Sequence, residues 1–125
     1  MFPYQETFIF VKHLIVEPKF NVEFLEEAIE FLDGLDKKSR EKIIYNIYKA
    51  RVVIDKKLFK KLTGETWEFR TLYNKKYYRL FAFWDKTDKT ETVVVSTHGI
   101  VKKTDKVPKS QIDKAERIRK QYFEL

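Results

Sequence analysis

The hydrophobic pattern of this chain changes period from one segment to the next. Residues 8–16 (Phe-Ile-Phe-Val-Lys-His-Leu-Ile-Val) form an apolar, β-prone stretch that Pro18 interrupts. Phe20, Val22 and Phe24 then alternate, which predicts a short strand. From Leu25 the spacing becomes helical: Leu25, Ala28, Ile29, Leu32 and Leu35 share one face, Glu23, Glu26 and Glu27 lie near its start, and Gly34 ends it. Asp36 is placed to cap a second helix, whose inner stripe reads Ile43, Ile47, Ala50 and Ile54. The short link through Gly34 makes the two an antiparallel helical hairpin.

Beyond it the period returns to two. Trp67 and Phe69 alternate with Glu68 and Arg70 up to Thr71. Asn74-Lys75-Lys76 reads as a turn. Tyr77 to Trp84 is apolar on both faces, as in a central strand, and Asp85 to Thr90 is a polar turn. Thr92 to Thr97, with Val93-Val94-Val95 at its heart, completes a meander. Pro108 opens a last helix with Ala115, Ile118, Tyr122 and Leu125 as its inner stripe. The expected fold is α+β: a small antiparallel or mixed sheet, an N-terminal helical hairpin and a C-terminal helix, with the helices on one face. At 125 residues, a single domain over residues 1–125 is expected.

Composition narrows the chemistry. There is no cysteine, which removes disulfides and thiolate catalysis. Two histidines, His13 and His98, are too few and too far apart to suggest a zinc site, so no metal and no cofactor is expected. No apolar run approaches membrane-spanning length, and the opening Met-Phe-Pro-Tyr-Gln-Glu-Thr lacks the order of a secretory leader. A cytoplasmic protein without a membrane partner is expected.

The formal net charge of +7 is unevenly spread. Residues 1–35 carry two Lys/Arg against seven Asp/Glu, whereas residues 36–61 carry ten against three and residues 98–125 eight against four. A basic face attracts nucleic acid, although a lysine-rich surface also arises for solubility alone. The basic run on the second helix (Lys37, Lys38, Arg40, Lys42, Lys49, Arg51) reads first as a solvated face.

Chemistry concentrates in the last strands. Arg79 lies inside the apolar run Tyr77-Tyr78-Arg79-Leu80-Phe81, where an unpaired guanidinium is costly. It either forms a structural ion pair, for instance with Glu68 on the neighbouring strand, or serves as a phosphate-binding fork, and Arg70 has the same two readings. Val93-Val94-Val95 leads to His98-Gly99-Ile100-Val101-Lys102-Lys103-Thr104, which places an imidazole and two lysines at the end of a strand. His98 has the pKa range of a general base or acid, with nearby lysines favouring its neutral form, or it merely bonds backbone at a strand end. Lys61 and Lys106 join Arg70 as candidate substrate-binding residues. If the ligand is RNA, a 2′-hydroxyl can attack the neighbouring phosphorus while a base takes its proton and cations stabilise the added charge. That reaction needs no metal and selects RNA over DNA.

Phe24-Leu25-Glu26-Glu27-Ala28 leading into Phe31-Leu32, Leu58-Phe59-Lys60-Lys61-Leu62, Trp67-Glu68-Phe69-Arg70, Tyr78-Arg79-Leu80-Phe81, the His98–Thr104 segment and Pro108 together resemble the RelE/ParE toxin superfamily, and within it the HigB-like group, also described as phage-derived Gp49-like. The resemblance spans roughly residues 20–123 and leaves the first 19 residues outside. It implies a type II toxin that cuts mRNA in the ribosomal A site, neutralised by a small helix-turn-helix antitoxin through which the pair reaches operator DNA. By position, Arg79 matches the strand arginine on the scissile phosphate, Lys102 or Lys103 a basic residue that stabilises the transition state, Arg70 a supporting basic position, and His98 a position where the HigB-like group often has histidine. Some members place a tyrosine where Tyr122 stands, but the helical period assigns Tyr122 to the core stripe. Two other functions remain open: a non-catalytic inhibitor of DNA gyrase, as in the ParE branch, and a nucleic-acid-binding module without nuclease activity.

Overall fold

In a computed structural model, residues 18–124 are described throughout, together with the backbone of 9–11 and 14–16. His13, Leu125 and most of the first 17 residues lie outside the described part. Strands β1 (Ile9–Val11) and β2 (Leu14–Val16) pair antiparallel. There follow β3 (Asn21–Phe24), α1 (Glu26–Asp33), α2 (Lys37–Ala50), β4 (Phe59–Thr63), β5 (Thr66–Tyr73), β6 (Lys76–Asp85), β7 (Val93–Lys102) and α3 (Lys109–Glu124). The main sheet has the order β3-β7-β6-β5-β4, antiparallel except for the parallel β3–β7 pair. The fold is mixed α+β.

Local chemistry explains the joints. The Asp36 side chain accepts from the Ser39 amide at 3.0 Å, capping α2. Asn74 and Lys75 both take positive φ (50° and 62°), the conformation of a two-residue hairpin, which fixes Tyr73 opposite Lys76 and therefore Arg70 opposite Arg79. At the end of α2, Arg51 is buried and donates to the Phe20 carbonyl and to Asn21 Oδ1, both at 2.9 Å. It thus leaves the solvated basic run that the sequence suggested and ties the helix to β3.

The helices cover both faces of the sheet rather than one. Phe24, Leu32, Ile43, Ile47, Phe69, Leu80 and Val94 form the core beneath the α1–α2 hairpin. Phe81, Phe83 and Val95 are also buried, but on the other face, where Phe83 meets Tyr122 of α3 edge-on at 5.1 Å. A central strand apolar on both sides needs cover on both sides. Two further details depart from the sequence pattern. α2 stops at Ala50, so Ile54 falls outside its stripe and is 85% exposed. β4 was hidden because Lys60 and Lys61 break its apolar run, a common composition for an edge strand.

Strand β7 runs on past His98 to Lys102, so the histidine is inside the strand and not at its end. Ser96 pairs with Ala82 and His98 with Phe81, which leaves Thr97 as an extra residue, a β-bulge. Upstream of it, Val94 and Ser96 face the hairpin; downstream, His98, Ile100 and Lys102 face α3. Without the bulge, the downstream side chains would point to the opposite face. Gly99 then faces α1. A Cβ on it would lie 2.6 Å from Phe31 Cγ and 2.7 Å from Cε2, so the ring packs directly on the glycine backbone.

Candidate phosphate-binding site

Cross-strand pairing gathers Glu68 and Arg70 of β5, Tyr77, Arg79 and Phe81 of β6, and His98, Ile100 and Lys102 of β7 on the α3 face. Arg70 and Arg79 are direct partners. Two like charges at that spacing repel unless anions offset them, and here two carboxylates do. Glu68, fully buried, meets Arg79 Nη1 through both oxygens at 2.5 and 2.7 Å. Asp105, from the segment joining β7 to α3, accepts from Arg79 Nη2 at 2.5 Å and from Arg70 Nη2 at 2.9 Å. Its backbone carbonyl takes a further bond from Arg79 Nη2 at 2.6 Å. The Tyr77 ring lies 5.1 Å from the Arg70 guanidinium carbon and 5.5 Å from that of Arg79, within cation–π range of both.

The ion pair between Arg79 and Glu68 is therefore formed, and Arg79 is 1% exposed. Arg70 is partly exposed beside it. The hydrogen bond from Arg79, with the charges of Arg70 and Lys60 in support, holds the Asp105 carboxyl below its usual range. Lys102 pairs across from Tyr77 and is exposed, as are Lys103 and Lys106 in the segment that follows. Lys61 is not brought to this group. It pairs with Trp67, whose face carries Phe69 and Leu80, and the residue opposite Glu68 is Lys60. Asp105 is the member of this cluster that the sequence pattern does not single out. The one available signal is a lone acid in the basic run Lys102-Lys103-Thr104-Asp105-Lys106.

His98 shares this face but is enclosed. It is 3% exposed, stacked on Phe81 with ring centroids 4.9 Å apart. Thr97 Oγ1 is 2.8 Å from Nδ1 and Gln111 Oε1, on the first turn of α3, is 3.1 Å from Nε2. Burial, then the charge of Lys114, lowers its pKa from 6.5. On the outer side of β7, beyond its pairing with β3, a cavity of about 730 Å³ is lined by Glu26, Glu27, Glu30, Phe31, His98 and Lys114 among others. Tyr122 donates to Asp85 Oδ2 at 2.7 Å, and burial followed by this bond raises its pKa. It packs against Phe83, as the helical period implied.

The lowered pKa of His98 has a measurable consequence. Just below pH 6.5 the unfolded chain takes up a proton on this histidine that the folded chain refuses. Stability is thus lost as pH falls through that region. The melting midpoint of the wild type is expected to drop more than that of His98→Gln between about pH 7.5 and 5.5. Parallel curves would show that the imidazole stays accessible to protons in the fold.

Among the described residues, no group of His, Asp and Glu is arranged to hold a metal ion, and no helix is long and apolar enough to cross a membrane. What the arrangement can do is hold one small anion between two guanidiniums with exposed lysines close by. No curated protein matches the chain. A family model described as "Phage derived protein Gp49-like (DUF891)" matches residues 30–120, which include α2, β4 to β7, the arginine pair and most of α3. By that match, the chain belongs to the Gp49-like family of phage-derived proteins.

Proposed function

We propose that this protein is the toxin of a type II toxin–antitoxin pair, a cytoplasmic, ribosome-dependent endoribonuclease that cuts mRNA and so arrests translation. Membership of the Gp49-like family supports a toxin-like protein. The observation that carries the nuclease reading is the convergence of Arg70 and Arg79, from adjacent strands, on one carboxylate oxygen. Planar guanidiniums that share a carboxylate oxygen are equally suited to the oxygens of a phosphodiester.

In the proposed reaction, the 2′-hydroxyl attacks the adjacent phosphorus, the bond to the 5′-oxygen breaks, and a 2′,3′-cyclic phosphate remains on the upstream fragment. One proton leaves the 2′-oxygen and one returns to the 5′-oxygen. Arg79 and Arg70 hold the phosphate. Lys102 and Lys103 stabilise the charge that builds on it. Lys106, and Lys60 in preference to Lys61, contact the neighbouring RNA backbone. His98 is held neutral at pH 7, the state a proton acceptor requires, and its part in catalysis requires Gln111 to release Nε2. The antitoxin, a small helix-turn-helix protein, offers an acidic or apolar segment to the basic face and carries the pair to operator DNA.

The test is direct. Protein added to a translating extract should produce discrete cuts in the message, mapped by primer extension, with none when translation is blocked beforehand. Intact message combined with inhibited supercoiling by DNA gyrase would move the chain to the gyrase-inhibitor reading. Intact message with neither effect would leave a binding module.

A further inference from the structure

Asp105 and Glu68 both neutralise Arg79, but they do so from opposite sides. Glu68 is 0% exposed and meets Nη1 from within the sheet, whereas the Asp105 side chain is 58% exposed and meets Nη2 from solvent. Arg79 Nε is buried with no acceptor among the described residues. The buried carboxylate is part of the fold's permanent charge balance. The exposed one can leave, and its departure, together with that of the Asp105 backbone carbonyl, would release the Nη2 groups of both Arg70 and Arg79 next to the unpartnered Nε.

We infer that the Arg70–Arg79 fork is a subsite for a single phosphodiester, and that the chain fills it with the Asp105 carboxylate until RNA displaces it. The nature of the ligand rests on the function proposed above; the occupied fork itself does not. Two guanidiniums against two carboxylates make the closed cluster formally neutral. Removing Asp105 leaves one positive charge. A phosphodiester carries one negative charge, as the carboxylate does, so the exchange preserves the balance. A phosphate monoester, close to doubly charged at neutral pH, would overfill it. The charge left by the two arginines and Glu68 therefore suits internal positions of an RNA chain better than terminal phosphates. Asp105 also holds the segment 103–108 down, because Arg79 grips both its side chain and its backbone carbonyl. Anything that takes the carboxylate's place must lift that segment too.

The test uses the full chain and a 2′-O-methyl oligoribonucleotide, which can bind but cannot be cut. Asp105→Asn keeps the shape and an accepting oxygen while removing the charge. If the wild-type fork is open about one tenth of the time, the variant should bind about tenfold more tightly, since affinity scales with the open fraction. A 5′-phosphorylated mononucleotide should gain by about the same factor, because the charge left on the open fork is the same in both proteins. Binding that is unchanged or weaker in the variant would overturn the inference and make Asp105 a structural anchor only. Asp105→Ser provides the same reading if the asparagine variant melts early. No step requires cleavage, so intact message in the translating extract would remove the nuclease assignment and leave this result standing.

Discussion

Arg79→Ala is expected to lower folding stability by about 3–5 kcal/mol, because it leaves the buried Glu68 carboxylate without the guanidinium that meets both of its oxygens. The loss should show in urea or thermal unfolding. It should far exceed that of Arg70→Ala, whose side chain is partly exposed and pairs with the exposed Asp105. Loss of activity in Arg79→Ala is thus ambiguous. The double variant Glu68→Leu, Arg79→Met separates the two roles. Replacing a buried ion pair by apolar side chains of similar size is close to neutral, or even stabilising. The double variant should fold with stability within about 1–2 kcal/mol of wild type while failing to bind RNA. If it folds and still cuts message at the wild-type rate, the guanidinium has no part in the chemistry. If Arg79→Ala melts like the wild type, the pair is more hydrated than its burial indicates.

The same pair shows how far the sequence reaches. An arginine inside Tyr78-Arg79-Leu80-Phe81 demanded a partner, and Glu68 was nameable because both strands and the turn between them were legible from period and turn residues. The hairpin at Asn74–Lys75 did the rest by fixing the register. Four things escaped. The cover over Phe81 and Phe83 was missed because a helix's apolar stripe does not say which side of a sheet it meets. β4 was missed because its stability comes from pairing with β5 and from Phe59 stacking on Phe69 and Trp67, not from its own pattern. The bulge at Thr97 was missed because nothing local marks it. Its consequence is large: it decides that His98 and Lys102 share a face with Arg79. Asp105 escaped for a related reason, since only the three-dimensional meeting of β5, β6 and the segment before α3 gives an exposed aspartate two arginine partners.

The lysines provide the second large effect, and the bulge sets its asymmetry. Lys102 pairs across from Tyr77, the ring that lies within reach of both guanidiniums, so its side chain starts on the Arg79 face. Lys103 is the next residue along and begins the segment that bends toward α3. Both are exposed and neither forms an ion pair among the described residues, so neither is needed for folding. Lys102→Ala with Lys103→Ala should leave the unfolding midpoint within about 0.5 kcal/mol of wild type. Removing a group that stabilises charge in the transition state costs roughly 100- to 1,000-fold in rate. Cleavage of message by the double variant should fall by that order, with Lys102→Ala alone giving the larger share. Binding of the uncleavable oligonucleotide should fall much less, and lose part of its salt dependence as phosphate contacts are removed. Equal losses in binding and in cleavage would make the lysines part of the RNA-binding surface and not of the catalytic step. A larger effect from Lys103 than from Lys102 would mean that the segment 103–108 rearranges when RNA binds, carrying Lys103 onto the face where Asp105 now sits.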